Sequence, residues 1–311
     1  MLLAFVLLTC ALRASDGLPV RNSRSVALAF LRFTPRSHTL KVNESCFSYT
    51  LIVANEFRQI GQVDEDAETW RLGLEYSAWS PNGEWSVEAP ILSRSGGMLD
   101  PLINWWHDGV LGDPNPIRDS TPRGRARIEI PGTEPFDSAL GVGDVSFGYA
   151  RQLGPLAVGR VGAKLPTGNP SMLTGSGGFD VGAAIDLALP ITHGFQLGMS
   201  GSYVFQGRAP RLGQARRTAY ASAIAFTWEP NGGESWILQW NTEQSPTVTG
   251  NTALDGDHRV ISFGYTRKTG RHGEWQAYFS EDGDFRWFRF PGGATIGPDF
   301  TLGIKVVRRI R

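Results

Sequence analysis

Charged side chains on one phase of an alternating pattern are the first feature of this chain that could do chemistry. Arg71, Glu75, Glu88, Asp144, Arg160, Lys164, Asp180, Asp186 and Lys305 all fall on the polar phase of stretches that alternate polar with apolar residues. Both signs are present. Enclosing them in a narrow space requires pairing, so they read as structural ion-pair networks before they read as a selectivity filter. Arg160 and Lys164 facing Asp180 and Asp186 across neighbouring strands is the favoured pairing.

A second group lies between residues 93 and 140. Asp100 suits a helix N-cap, Pro101 the first helical turn and Gly109 a stop. Leu99, Ile103, Trp106 and Val110 would then share a face. Trp105, Trp106, His107 and Asp108 would ride on this short helix, which would either fold inward as a constriction or pack on a rim. Arg123, Arg125 and Arg127 alternate in RGRARIEI. They would attract anionic solutes or lipopolysaccharide phosphates, or simply solvate a loop hairpin.

Other chemistry has little to stand on. His38, His107, His193, His258 and His272 include no HxH or HExxH pair, so no metal site is expected. His107–Asp108 lacks a nameable nucleophile. GMSGS at 198–202 is not GxSxG and sits within a strand pattern. Gly168, Gly175, Gly177 and Gly178 are followed by strand alternation and not by a helix, which suits a tightly bent loop better than a phosphate cradle. No catalytic residue and no cofactor is expected.

The alternation itself sets the fold. Val181, Ala183, Ile185, Leu187 and Leu189 stand against Asp180, Gly182, Ala184, Asp186 and Ala188, the period of two that marks strands with unlike faces. Strands are expected to begin near 46, 68, 84, 141, 156, 179, 194, 217, 234, 257, 273 and 299. Their connections alternate short (80–83, 154–155, 190–194, 230–233, 269–273) and long (58–67, 93–140, 166–178, 207–215, 244–256, 282–298). Short periplasmic turns and long outer loops are the rule of outer-membrane barrels. One face is aromatic and apolar, as in Tyr220, Ile224, Phe226 and Trp228, with aromatics near strand ends. The other is small or charged, as in Ala219, Ala221, Ala223 and Ala225. The expectation is an all-β, transmembrane antiparallel β-barrel of about 12 strands, with 14 as the alternative and a soluble sandwich as the competing architecture.

Lys plus Arg equals Asp plus Glu at 30 each, which gives no basic surface for nucleic acid. No apolar run reaches the ~18 residues of a spanning helix, which leaves closed barrels as the permitted membrane solution. Residues 1–14, opening MLLAFVLLTCAL, suit a secretory signal peptide with Ala11 and Ala14 near cleavage; lipidation at Cys10 is disfavoured by Thr9. Removal would leave Cys46 as the single cysteine, so no internal disulfide would form. Residues 15–45 would be a periplasmic tail or lumen plug, and residues 46–311 the barrel.

Three blocks, GLPVRN (17–22), GVGDVSFGYARQL (141–153) and KLPTGNPSMLTGSGGFDVGAAIDL (164–187), together with MLDPLINWWHD (98–108), carry a resemblance. They resemble a family of Gram-negative outer-membrane barrels catalogued as domain-of-unknown-function family 3187. The KLPTG…LTGSGGFD block is also similar to a wider group of barrels encoded beside aromatic-degradation genes, to which uptake of hydrophobic compounds is ascribed. The resemblance implies location in the bacterial outer membrane and transfers no catalytic residue. The expected function is a passive channel for small, poorly soluble molecules. The alternatives are a closed structural or adhesive barrel and, third, a lipid or ester hydrolase. Expected partners are outer-membrane lipid, lipopolysaccharide, the barrel-assembly machinery and a small-molecule solute.

Overall fold

The computed structural model describes residues 16–111, 120–192, 194–212, 214–250, 255–270, 272–281, 284–285, 288–289, 298 and 300–310. Its wall is a closed antiparallel ring. The first three strands are β1 (Ser45–Ile60), β2 (Val63–Ser80) and β3 (Gly83–Ser95). Two short strands follow, β4 (Arg127–Glu129) and β5 (Ala139–Val142). The wall resumes with β6 (Ser146–Gly154), β7 (Ala157–Lys164), β8 (Asp180–Thr192) and β9 (Phe195–Phe205). It continues through β10 (Thr218–Trp228), β11 (Glu234–Gln244), β12 (Asp257–Thr269) and β13 (Gly273–Glu281). After a two-residue hairpin of β14 (Asp284–Phe285) and β15 (Phe288–Arg289), β16 (Phe300–Ile310) closes the ring against β1, with Ser45 opposite Ile310. Twelve strands form the wall; β4 and β5 add to the edges of β2 and β3 without entering the ring.

The two faces divide as the alternation requires. On β10 and β11, Tyr220, Ile224, Phe226, Trp228, Trp236, Leu238 and Trp240 are exposed, whereas Ala219, Ala223, Ala225, Ile237 and Gln239 are buried. A closed ring that turns its large apolar side chains outward is a membrane-spanning barrel. Ring contacts at the short-turn end form an interfacial girdle: Phe47–Tyr76, Trp85–Tyr149, Phe195–Trp228, Trp236–Tyr265 and Tyr265–Trp275 have centroids 4.7–6.1 Å apart. Ile224 lies at mid-strand between Met199 and Trp240. Ile224→Lys is expected to destabilise the inserted barrel by about 2–4 kcal/mol, read from reversible unfolding in liposomes. An unchanged midpoint would contradict the lipid-facing assignment.

The first hairpin departs from expectation. Residues 58–67 were expected to form a long loop, yet the ladder runs unbroken to Ile60 opposite Val63 around Gly61, whose φ of 63° suits glycine. Above the lipid band a strand needs no apolar face, so the acidic run Asp64–Asp66 stays in the sheet and pairs on its other edge with β4.

Candidate functional site

The lumen is occupied by the chain's own N-terminal segment, residues 16–44. This segment carries almost no sheet pairing, so its backbone N–H groups need acceptors. Inward-facing wall carboxylates and two glutamine amides, Gln239 and Gln152, supply them. Leu18 N donates to Gln239 Oε1 at 2.8 Å, and Gln239 Nε2 donates back to Leu18 O at 3.1 Å. Asn22 N donates to Glu243 Oε2 at 2.9 Å, Ser25 N to Glu56 Oε1 at 3.1 Å, and Leu31 N to Asp180 Oδ2 at 2.9 Å. Arg36 N donates to Asp186 Oδ1 at 3.3 Å and Leu40 N to Glu84 Oε2 at 2.8 Å. Side chains add ion pairs from Arg24 to Glu65, Arg32 to Glu243 and Arg36 to Glu84. A single helical turn, α1 (Ser25–Leu28), is wholly buried.

One wall patch is shaped for this segment. Gly148, Gly162 and Gly182 stand in register on β6, β7 and β8. A Cβ on Gly162 would lie 3.1 Å from the Phe33 ring, and one on Gly182 3.0 Å from it. Arg160 covers the same ring, with its guanidinium 5.3 Å from the centroid. Gly162→Val should therefore dislodge Phe33 and expose the N-terminal segment to protease, and Phe33→Ala should restore protection. Equal protection in all three proteins would show that the glycine row is not a seat.

At the long-loop end, an apolar cluster seals the mouth. Val26, Ala29 and Phe30 from the N-terminal segment meet Val63 and Ala67 of β2. Ile128, Ile130, Phe136, Leu173, Ala209 and Leu212 join them from the loops. The 96–145 connection thus does fold over the lumen, through Ile128–Phe136.

The sequence-derived charges sort as follows. Arg160 grips Asp186 through two hydrogen bonds, at 2.7 and 3.0 Å. Lys164 contacts Asp144 and lies 3.5 Å from Asp180. Asp144 also accepts from Gly168 N at 2.8 Å and Ser176 N at 3.0 Å, tying the glycine-rich loop to the wall. Arg71 meets Glu88 at 2.6 Å, Glu75 accepts from Ser77 at 3.0 Å, and Lys305 lines a lumen cavity.

The residues expected at a constriction lie elsewhere. A short helix, α2 (Asp100–Asn104), runs into a π-helical turn, Trp105–Leu111, that continues past Gly109. The cap is Leu99 and not Asp100; Met98 N and Leu99 N donate to Glu68 at 2.9 and 2.8 Å, and Asn55 Nδ2 donates to Asp100 at 3.3 Å. Asn55 and Glu68 occupy the outward phase of β1 and β2, and Trp106 packs edge-on against outward-facing Phe279 at 5.3 Å. The helix therefore covers the outside of the wall. Trp105 is exposed, and the wider π winding turns Val110 away from buried Ile103. Asp108 follows on this outer turn, and the His107 side chain lies outside the described residues. Arg123 is exposed, Arg125 pairs with Asp64, and Arg127 hydrogen-bonds Glu129 at 2.6 Å, which pushes its guanidinium further up from the ordinary value. None of the three arginines contributes to the lining of the lumen cavity.

Sequence reasoning missed the receptors of the N-terminal segment, namely Glu56, Glu65, Glu84, Gln239 and Glu243. Their signal was available as parity: each sits on the inward phase of its strand. Among the described residues, no group of three or more His, Cys, Asp or Glu could hold a metal ion.

A family model described as a protein of unknown function (DUF3187) matches residues 22–279. Among solved structures, the chain is similar to the COG4313 outer membrane channel from Pseudomonas putida F1, at 10% identity over 87% of this chain and 97% of that one, with a TM-score of 0.58. Weaker likenesses include the P. putida toluene transporter TodX (10% identity, 93% and 91% covered, TM-score 0.38). The KdgM porin is another (7% identity, 86% and 99% covered, TM-score 0.43). No curated protein matches the chain. The fold is that of a bacterial outer-membrane barrel.

Proposed function

The chain belongs to the DUF3187 family, and on that premise we propose that it is a passive outer-membrane channel for small molecules with an apolar body, closed by its own N-terminal segment. The observation that carries this reading is the division of labour in the lumen. The wall contributes small residues, such as Gly148, Gly162, Gly182, Ala219, Ala223 and Ala225, and a separate segment fills the space they leave. A barrel built only to be solid would fill its lumen from the wall itself, as eight-stranded barrels do. The likeness to a barrel described as a channel supports the same reading. One observation favours the alternative of a closed envelope barrel, the apolar cluster across the outer mouth.

Single-channel recording of the full chain in planar bilayers separates the two. A channel gives small, resolvable steps, or brief openings as the segment fluctuates. A closed barrel gives none, in the full chain or after removal of residues 16–40, when protein shown to be folded is inserted.

A further inference from the structure

Between the N-terminal segment and the wall lies a lumen cavity of about 130 Å³. Six cationic side chains line it: Arg21, Arg32, Arg36, Arg71, Arg160 and Lys305. Four are paired, to Glu243, Glu84, Glu88 and Asp186 respectively for Arg32, Arg36, Arg71 and Arg160. Arg21 and Lys305 make no ion pair among the described residues, and Glu75 is the one lining carboxylate outside these pairs. The lining itself holds six cations against two carboxylates, Glu75 and Glu88, while Asp16 lies within electrostatic reach of Lys305 and Arg36 behind it.

The guanidinium nitrogens say the same. Arg21 Nε, Arg32 Nη2 and Arg71 Nε are each buried without a hydrogen-bond acceptor. The side chains of Arg32 and Arg71 are only 2% and 5% exposed. A buried donor left without an acceptor is costly, and more so when it is charged. All three belong to residues that line the cavity. The remaining lining includes Leu31, Phe33 and Ile52, so the space has an apolar side as well as a cationic one.

We propose that this cavity binds the carboxylate of a small organic acid, its charged end taken by Arg21, Arg71 and Lys305 and its apolar body lying against Leu31, Phe33 and Ile52. The proposal names the solute class of the channel reading and rests on it. A carboxylate would give Arg21 and Lys305 the charged partner that neither has among the described residues, in a lining rich in cations.

Calorimetric titration of the full chain in detergent, against an empty-micelle blank, tests it. Benzoate, its neutral counterpart benzyl alcohol and inorganic phosphate are the probes. Benzoate should saturate, and benzyl alcohol and phosphate should bind at least roughly tenfold more weakly, the scale of one charge-assisted hydrogen bond. Arg21→Gln and Lys305→Gln break no ion pair, so both should fold, as heat-modified gel mobility would confirm. Each should weaken benzoate by roughly tenfold or more. No benzoate binding, benzoate binding untouched by both substitutions, or benzyl alcohol binding as tightly would overturn the proposal. Phosphate binding as tightly as benzoate would overturn the organic assignment in favour of a free oxyanion. Binding is read without a membrane, so a barrel that never conducts and a cavity that never binds fail in different experiments.

Discussion

Deleting residues 16–40 is expected to raise single-channel conductance several-fold over the full chain, with the barrel still folded. The wall's pairing is complete without the segment, since β1 begins at Ser45 and closes directly on β16 and β2. What the deletion removes is the lumen's filling: the buried run from Leu18 to Leu31 and its hydrogen bonds to Gln239, Glu243, Glu56 and Asp180. The acids left behind become a water-facing lining and lose their partners. The emptied pore should accordingly favour cations, read as a shift in reversal potential across a salt gradient. Conductance that stays at the full-chain level would show that the loops over the outer mouth, and not the segment, block the path.

The second large effect is Arg24→Ala. Arg24 and Glu65 form an ion pair in which both side chains are 1% exposed. Removing one member of a buried pair costs about 3–5 kcal/mol, because the other charge stays behind unpaired. Here the wall is held by its own ladder, so the loss falls on docking of the segment. Docking should weaken by roughly 100- to 4,000-fold, seen as faster protease cleavage within residues 16–40. Glu65→Gln paired with Arg24→Gln should recover much of the loss, because neither charge is then stranded. Protection equal to that of the unmodified protein would place the docking energy elsewhere, in the apolar cluster around Phe30.

The barrel was legible in the sequence because its cause is local. Wherever lipid lies on one side and the lumen on the other, every second side chain is forced to be apolar, and Val181 to Leu189 or Tyr220 to Trp228 display it directly. Legibility stopped where that force stops. Above the lipid band, Asp64–Asp66 reads as loop but remains sheet. The helix after Met98 has an amphipathic pattern, yet the pattern cannot say whether the greasy side meets the lumen or the outer wall; Glu68 and Phe279 decide it from a distance in sequence. The lumen ion pairs were half legible. Arg160, Lys164, Asp180 and Asp186 sit on neighbouring strands with matching parity, but Arg71 with Glu88 needed the register of β2 on β3. Most receptors of the N-terminal segment were hidden because they bind main-chain N–H groups, which every residue type presents alike; Glu65 instead takes the Arg24 guanidinium.

That last feature has an evolutionary reach. A socket whose acids grip the peptide backbone recognises that a strand of chain is present and is nearly indifferent to which one. The positions held only through their backbone are then free to drift so long as they fit, while the acids that hold them are not. Variation among relatives should spare the host, and in the guest it should spare the GLPVRN block, the wall-paired Arg24, Arg32 and Arg36, and the glycine-seated Phe33. By the same logic, a peptide of unrelated sequence supplied from outside could occupy a barrel emptied of its own.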